Sequence, residues 1–142
     1  MHKHMLTDPE QIKAFTRAGR ATFTLVAKKT GRRLTFKVTR PKGAKWDENK
    51  GLIVKFLSGP DNYINYQTIG RITPEGEFQV EGSHHPEEQK VRAFHWFWRQ
   101  SEAMNTEKLD QCELWHEGRC GRCGKKLTVP ESISTGLGPT CE

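Results

Sequence analysis

Phe23-Thr24-Leu25-Val26-Ala27, then Lys28-Lys29-Thr30-Gly31-Arg32-Arg33, then Leu34-Thr35-Phe36-Lys37-Val38: two alternating runs are joined by a short, basic, glycine-bearing link. Phe23, Leu25 and Ala27 recur at a period of two, as do Leu34, Phe36 and Val38, which is the signature of half-buried strands. The link carries Thr-Gly flanked by charge, so the stretch predicts a β-hairpin with a basic tip.

Outward from this hairpin the chain continues as a sheet. Pro41 through Lys50 is a polar, lysine-bearing loop, and Leu52 to Leu57 is an apolar run long enough for one well-buried strand. Ser58-Gly59-Pro60-Asp61-Asn62 is a turn cluster. Tyr63 to Ile72, interrupted by Gly70, predicts a fourth strand, and Pro74-Glu75-Gly76 turns into a fifth, Phe78 to Val80. The middle of the chain is thus expected to be an antiparallel meander of about five strands.

Helices are expected on either side. Thr7-Asp8-Pro9-Glu10 has capping-box spacing, with Thr7 as N-cap and Glu10 reaching back to it. Pro9 suits a first turn, Ile12, Phe15 and Thr16 succeed it at helical spacing, and Gly19 stands where the helix should stop. The expected helix runs from about Asp8 to Ala18. A second comes after Gly82–Pro86, with Pro86 in its first turn; Val91, Phe94 and Trp98 form an apolar stripe, flanked by Ala93 and Phe97, that can lie across the sheet. Trp96 cannot share that stripe and is expected to point away from the sheet. The fold class is α+β: the meander packed with one or two helices over residues 1–106, succeeded by a small zinc-knuckle lobe over 107–142.

With 142 residues the chain is long enough to bury a core of its own. No apolar run approaches the roughly 18 to 20 residues of a membrane span, and the N-terminus lacks a signal-peptide apolar region. The expectation is a cytoplasmic protein with no membrane partner, whose four cysteines suit metal better than disulfides. The formal charge is +6, unevenly placed. Eleven basic residues between Arg20 and Lys55 face only Asp47 and Glu48, so that segment is +9 and the remainder −3. Lys28, Lys29, Arg32, Arg33, Lys37, Arg40, Lys42 and Lys45 are the candidate contacts to nucleic acid, because clustered cations release counterions when they meet phosphates. A solvated charged face on an ordinary sheet gives the same pattern. Tyr63 and Tyr66 could stack on bases, and sheet packing explains them equally well.

Cys120-Gly121-Arg122-Cys123-Gly124 has the form of a zinc knuckle: two thiolates two residues apart can share one tetrahedral metal, and the glycines let the turn tighten. Cys141, approached through Gly136-Leu137-Gly138-Pro139, supplies a third thiolate. The fourth ligand must come from upstream, where His116 and Cys112 compete. His116 precedes Cys120 by four residues with Gly118 between, an easy turn; Cys112 precedes it by eight, and the chain would have to fold back. In a strand, Cys112, Leu114 and His116 would share a face. A redox CxxC is the alternative use, but it normally opens a helix within a βαβ unit, and none surrounds it. Four protein ligands close a site, and closed zinc sites are structural.

These residues also carry a resemblance. Trp115-His116-Glu117-Gly118-Arg119-Cys120-Gly121-Arg122-Cys123-Gly124, then Leu127 to Ile133, then Gly136-Leu137-Gly138-Pro139-Thr140-Cys141, resembles a family of small phage and prophage proteins of unknown function. The resemblance extends more weakly to Leu57–Asn62 and Ala93–Trp98. It implies a histidine ligand at His116 and no requirement for Cys112, favouring one structural zinc on His116, Cys120, Cys123 and Cys141. It also implies a mobile-element origin, hence the cytoplasm of a bacterial host.

No phosphate-binding loop, no G-x-S-x-G elbow and no zinc-deaminase pattern appears: His116-Glu117 lacks the intervening residue and no proline precedes Cys120. His84-His85 falls in a loop without catalytic context, and His2 and His4 near the N-terminus are expected to be disordered. From Cys112 to Glu142, Arg119, Arg122, Lys125 and Lys126 are balanced by Glu113, Glu117, Glu131 and Glu142, so the knuckle is a poor sole reader of phosphate. The expected function is non-enzymatic: a zinc-stabilised accessory protein binding nucleic acid or a nucleoprotein complex. The alternative is a phage-encoded inhibitor of a host protein such as a defence nuclease or CRISPR effector.

Overall fold

A computed structural model describes residues 4–41, 51–58, 66–82, 84–121 and 135–137. Among these residues, seven strands form one antiparallel sheet in the order β1-β7-β2-β3-β4-β5-β6. The strands are β1 (Met5–Leu6), β2 (Arg20–Ala27), β3 (Arg33–Thr39), β4 (Leu52–Leu57), β5 (Tyr66–Ile72), β6 (Phe78–Val80) and β7 (Cys112–His116). The helices are α1 (Pro9–Thr16), α2 (Gln89–Glu102) and the short α3 (Thr106–Leu109).

The expected meander is β2 to β6 in sequence order. Its hairpin register pairs Phe23 with Phe36 and Leu25 with Leu34, as the alternation requires. Two strands were not expected as part of the sheet. β7 inserts between β1 and β2, pairing Leu114 with Leu25 and His116 with Phe23, so Cys112–His116 lies inside the sheet rather than beyond it. β1 covers the outer edge of β7, pairing Met5 with Trp115. His4, expected to be disordered, is ordered here: its carbonyl accepts the His116 N–H at 2.9 Å.

The period of two assigns one set of side chains to the helices. Phe23, Phe36, Val38, Val54, Ile69 and Leu114 are buried beneath Val91, Phe94, Phe97 and Trp98 of α2. Aromatic rings continue across this layer: Phe36 stands 5.2 Å from Phe94 and 5.5 Å from Phe56, and Phe23 5.6 Å from Phe97. Trp98 donates its indole N–H to the Gly76 carbonyl at 2.9 Å, tying α2 to the β5–β6 turn. Its ring lies 3.7 Å beneath the Arg17 guanidinium, which also pairs with Glu102 at 3.2 Å and so joins α1 to α2.

Three local expectations are corrected. The α1 N-cap is Asp8, whose carboxylate accepts the Glu10 N–H at 3.0 Å; Pro9 occupies the first helical position, so the cap must be the residue before it. Pro86 lies upstream of α2, whose N-cap is Glu88. Trp96 packs against the edge of the core instead of pointing away, beside Leu25, Leu34 and Cys112. No helix among the described residues is long and apolar enough to cross a membrane.

Candidate metal centre and basic face

β7 ends at His116, and beyond it the backbone makes a series of close approaches. The Gly118 N–H turns back to donate to His116 Nδ1 at 3.0 Å, a return made possible by a left-handed φ of +86° at Gly118. Gly121 then donates to the Gly136 carbonyl at 2.8 Å and accepts the Arg20 N–H at 2.6 Å. A Cβ on Gly121 would stand 2.7 Å from the Phe15 ring, and one on Gly136 2.5 Å from it, so only glycines let this backbone close over that ring. The start of the knuckle is therefore clamped to α1 and β2.

His116 and Cys120 are both buried at this end of the sheet. The His116 ring stacks on His4 at 4.9 Å and sits 5.6 Å from Phe15. A neutral imidazole accepting at Nδ1 carries its proton on Nε2. Zinc held at His116 Nδ1 would displace the Gly118 N–H, and zinc held at Nε2 would place the ring proton on Nδ1 and end the same hydrogen bond. Cys123 and Cys141, the other two expected ligands, lie outside the described residues. Among the described residues no group of three or more His, Cys, Asp or Glu is gathered as a metal site.

Cys112, the competing ligand, stands at the other end of β7, opposite Ala27, whereas His116 is opposite Phe23. Four residues of strand separate the two by about 13 Å. The Cys112 thiol donates to the Leu109 carbonyl at 3.5 Å, and burial pushes its pKa up to about 11.

The basic residues divide into groups. Lys28, Lys29 and Arg32 are exposed at the β2–β3 turn, with Gly31 at its bend. Arg33 and Lys37 lie on β3 on the face turned away from the helices, alternating with buried Phe36 and Val38. Arg40 comes just after the far end of β3, its N–H donating to the Gly19 carbonyl. Lys42 and Lys45 lie outside the described residues, as does Tyr63. Among the described residues, none of the ion pairs involves Lys28, Lys29, Arg32, Arg33 or Lys37.

That outward face also gathers residues that a strand-by-strand reading does not join. Lys55 is directly opposite Lys37, and Trp115 opposite Thr24. The Lys37 ammonium sits 4.2 Å over the Tyr66 ring. The signal is present in the alternation of Glu113-Leu114-Trp115-His116, but its meaning depends on β7 lying beside β2.

A protein-family profile described as a family of unknown function, DUF6011, matches residues 116–142. No curated protein and no solved structure matches the chain. The matched segment begins at His116, the last residue of β7, so the family signature starts where the sheet ends.

Proposed function

We propose that this chain is a zinc-stapled, non-catalytic accessory protein that binds nucleic acid or a nucleic-acid-handling complex through its basic hairpin. The observation that carries the reading is the exposed group Lys28, Lys29, Arg32 and Arg33, none of which takes part in an ion pair among the described residues. Cations exposed at a turn are available to phosphates, and each contact made there releases counterions. The resemblance to phage and prophage proteins adds a bacterial host cytoplasm as the setting.

His116, Cys120, Cys123 and Cys141 would hold the zinc. The buried, N/S-donor character of His116 and Cys120 fits that ion. Bound there, zinc would supply no chemistry beyond cross-linking the C-terminal segment to β7, and through the Gly121–Phe15 contact to α1. The expected content is about one zinc per chain, with loss of C-terminal protease resistance on chelation. A metal-free protein of unchanged resistance contradicts the assignment.

Binding to labelled single-stranded DNA, duplex DNA and RNA at low and near-physiological salt tests the main reading. Arg32→Glu with Arg33→Glu is expected to weaken binding by at least about tenfold and to flatten its salt dependence. Unaltered binding removes the proposed surface. An inhibitor of a host protein is the second reading, and one feature favours it: an apolar hollow of about 170 Å³ beside the basic tip, lined by Leu25, Leu34, Trp96 and Cys112 among others. A stoichiometric protein partner retained from nuclease-treated host lysate would select that reading.

A further inference from the structure

The three helices α1, α2 and α3 pack on one side of the sheet. Phe15 of α1 meets Phe23, Phe94 and Phe97 of α2 meet Phe36 and Phe23, and Leu109 of α3 joins the same buried cluster. Among the described residues no helix lies on the other side. The pairing register sets out that open face in rows. One runs Trp115, Thr24, Thr35 from β7 to β3, with Leu57 opposite Tyr66 on β4 and β5; the next holds Thr22, Lys37, Lys55 and Thr68.

Trp115 and Tyr66 stand four strand intervals apart, about 19 Å on a flat sheet. Both nevertheless line one hollow of about 160 Å³, together with Thr22, Thr24, Thr35, Leu57 and Glu117. Its threonines add hydroxyls: Thr24 and Thr35 share a 2.7 Å hydrogen bond, one donating to the other, which leaves the second hydroxyl proton free to turn. Burial, then the charge of Glu117, pushes the Tyr66 phenol up to about 12, so it remains a neutral ring at any physiological pH.

The charges on this face break a rule of sheet construction. Lys37 and Lys55 are direct cross-strand neighbours, and like charges directly opposite destabilise a sheet. Neither is relieved by an ion pair among the described residues, and Arg33 adds a third cation on the same side of β3. A local conflict that the fold tolerates is where a function is to be sought. Glu113 and Glu117 lie on the β7 side; Glu113 accepts the Trp115 indole N–H at 3.1 Å. Lys37 and Lys55 stand beside the hollow, Lys37 over the Tyr66 ring, and the hollow's own lining carries Glu117.

On the basis of the nucleic-acid reading, we infer that this open face, with Tyr66 and Trp115 as stacking rings and Lys37 and Lys55 as the phosphate contacts, binds single-stranded RNA. Flat rings with cations beside them take unpaired bases, whose faces a duplex keeps stacked inside. Threonine hydroxyls, donors and acceptors at once, match the ribose 2′-hydroxyl that distinguishes RNA from DNA. The hairpin tip beside the groove supplies charge to any polyanion; the groove selects the single strand.

The test uses the full zinc-loaded chain and fluorescein-labelled mixed-sequence RNA of about a dozen nucleotides, the same sequence as DNA, and the RNA duplex. Single-stranded RNA is expected to bind tightest. Tyr66→Leu is expected to weaken it roughly 5- to 100-fold, and Tyr66→Phe to leave it within about twofold, because only the ring is needed. Trp115 sits in a central strand, so Trp115→Phe, which keeps a ring, is read by fluorescence: the quenching that RNA causes in the wild type should fall away without loss of fold by circular dichroism. Wild-type affinity in Tyr66→Leu, while Arg32→Glu/Arg33→Glu is impaired, overturns the groove and leaves the nucleic-acid reading standing. Equal or tighter duplex binding overturns the groove, and equal affinity for DNA overturns its assignment to RNA. No binding of any nucleic acid at low salt overturns both readings.

Discussion

The two faces of the same seven strands are built to opposite rules. On the helix side the phenylalanine rings meet one another: Phe36 touches Phe23, Phe56 and Phe94, and Val38 on the same strand is fully buried. On the open side the intervening residues of the same strand are Thr35 and Lys37, half-exposed, one in a hydroxyl pair and the other facing a like charge. One residue of register separates a packed core from a polar surface. The strand therefore holds its stability and its chemistry on alternate residues, and substitutions one position apart should affect different measurements.

The largest expected effect lies on the covered face. Phe36→Ala removes a ring with no exposed surface and should cost about 3–5 kcal/mol in urea unfolding. Thr35→Ala, one residue away, forfeits a single half-exposed hydroxyl pair and should cost about 1 kcal/mol or less. Comparable losses at the two positions would break the contrast, since they would mean that the open face is packed as a core is.

Next in size is the contact that fastens the knuckle to the sheet. Gly121→Ala places a methyl 2.7 Å from the Phe15 ring and 3.0 Å from the Phe15 carbonyl oxygen. Overpacking of this kind should cost roughly 1–3 kcal/mol. Pairing it with Phe15→Leu, which shortens the obstructing ring, should recover part of the loss in a double-mutant cycle; strict additivity would show that the two do not press on each other.

The pattern of what sequence makes legible has the same division. The hairpin and the α2 stripe can be read because each carries enough residues to display its period, and β4 because it is a nearly continuous apolar run. β1 has two residues and can display none; it exists because β7 offers it an edge. β7 itself is legible as a strand-like alternation, but its place between β1 and β2 is a contact between residues some ninety apart, which no local pattern encodes. A helical wheel misplaces Trp96 because it sees only the stripe, whereas Leu25 and Leu34, near the hairpin end of β2 and β3, offer it a second apolar surface. Of the four expected metal ligands, the fold buries His116 and Cys120 at one end of the sheet; Cys123 and Cys141 lie outside the described residues. The open face was missed as a site because its residues come from β2, β3, β4, β5 and β7 and meet only through register.

A pH titration sharpens the comparison between the two ends of β7. Burial raises the Cys112 thiol to about 11 from an ordinary value near 9. Between those values the unfolded chain has lost its proton while the folded chain keeps it, so stability present below about pH 9 should decline as pH rises toward 11. The loss should be on the order of 1–2 kcal/mol, allowing for the part-exposed position of the group. Cys112→Ala should remove this component from the profile, leaving the later decline from Tyr66, whose phenol is raised to about 12. A profile indifferent to Cys112→Ala would mean that the thiol is not held protonated by the fold.

The smallest effect is the most informative, because stability and binding should move in opposite directions. Lys55→Gln keeps the polarity and most of the length of the side chain, leaves Lys37 over the Tyr66 ring, and removes one member of the repelling Lys37–Lys55 pair. The fold should gain roughly 0.2–1 kcal/mol at low salt. That gain should vanish near 1 M salt, where the screening length falls to about 3 Å. Affinity for single-stranded RNA should fall in the same variant, by several-fold at low salt. A residue retained only as solvated surface has no reason to show both changes. If Lys55→Gln gains stability and loses no affinity, the like-charged pair is a tolerated defect of the sheet. If both changes appear, the pair is held against its own repulsion by the anion it receives.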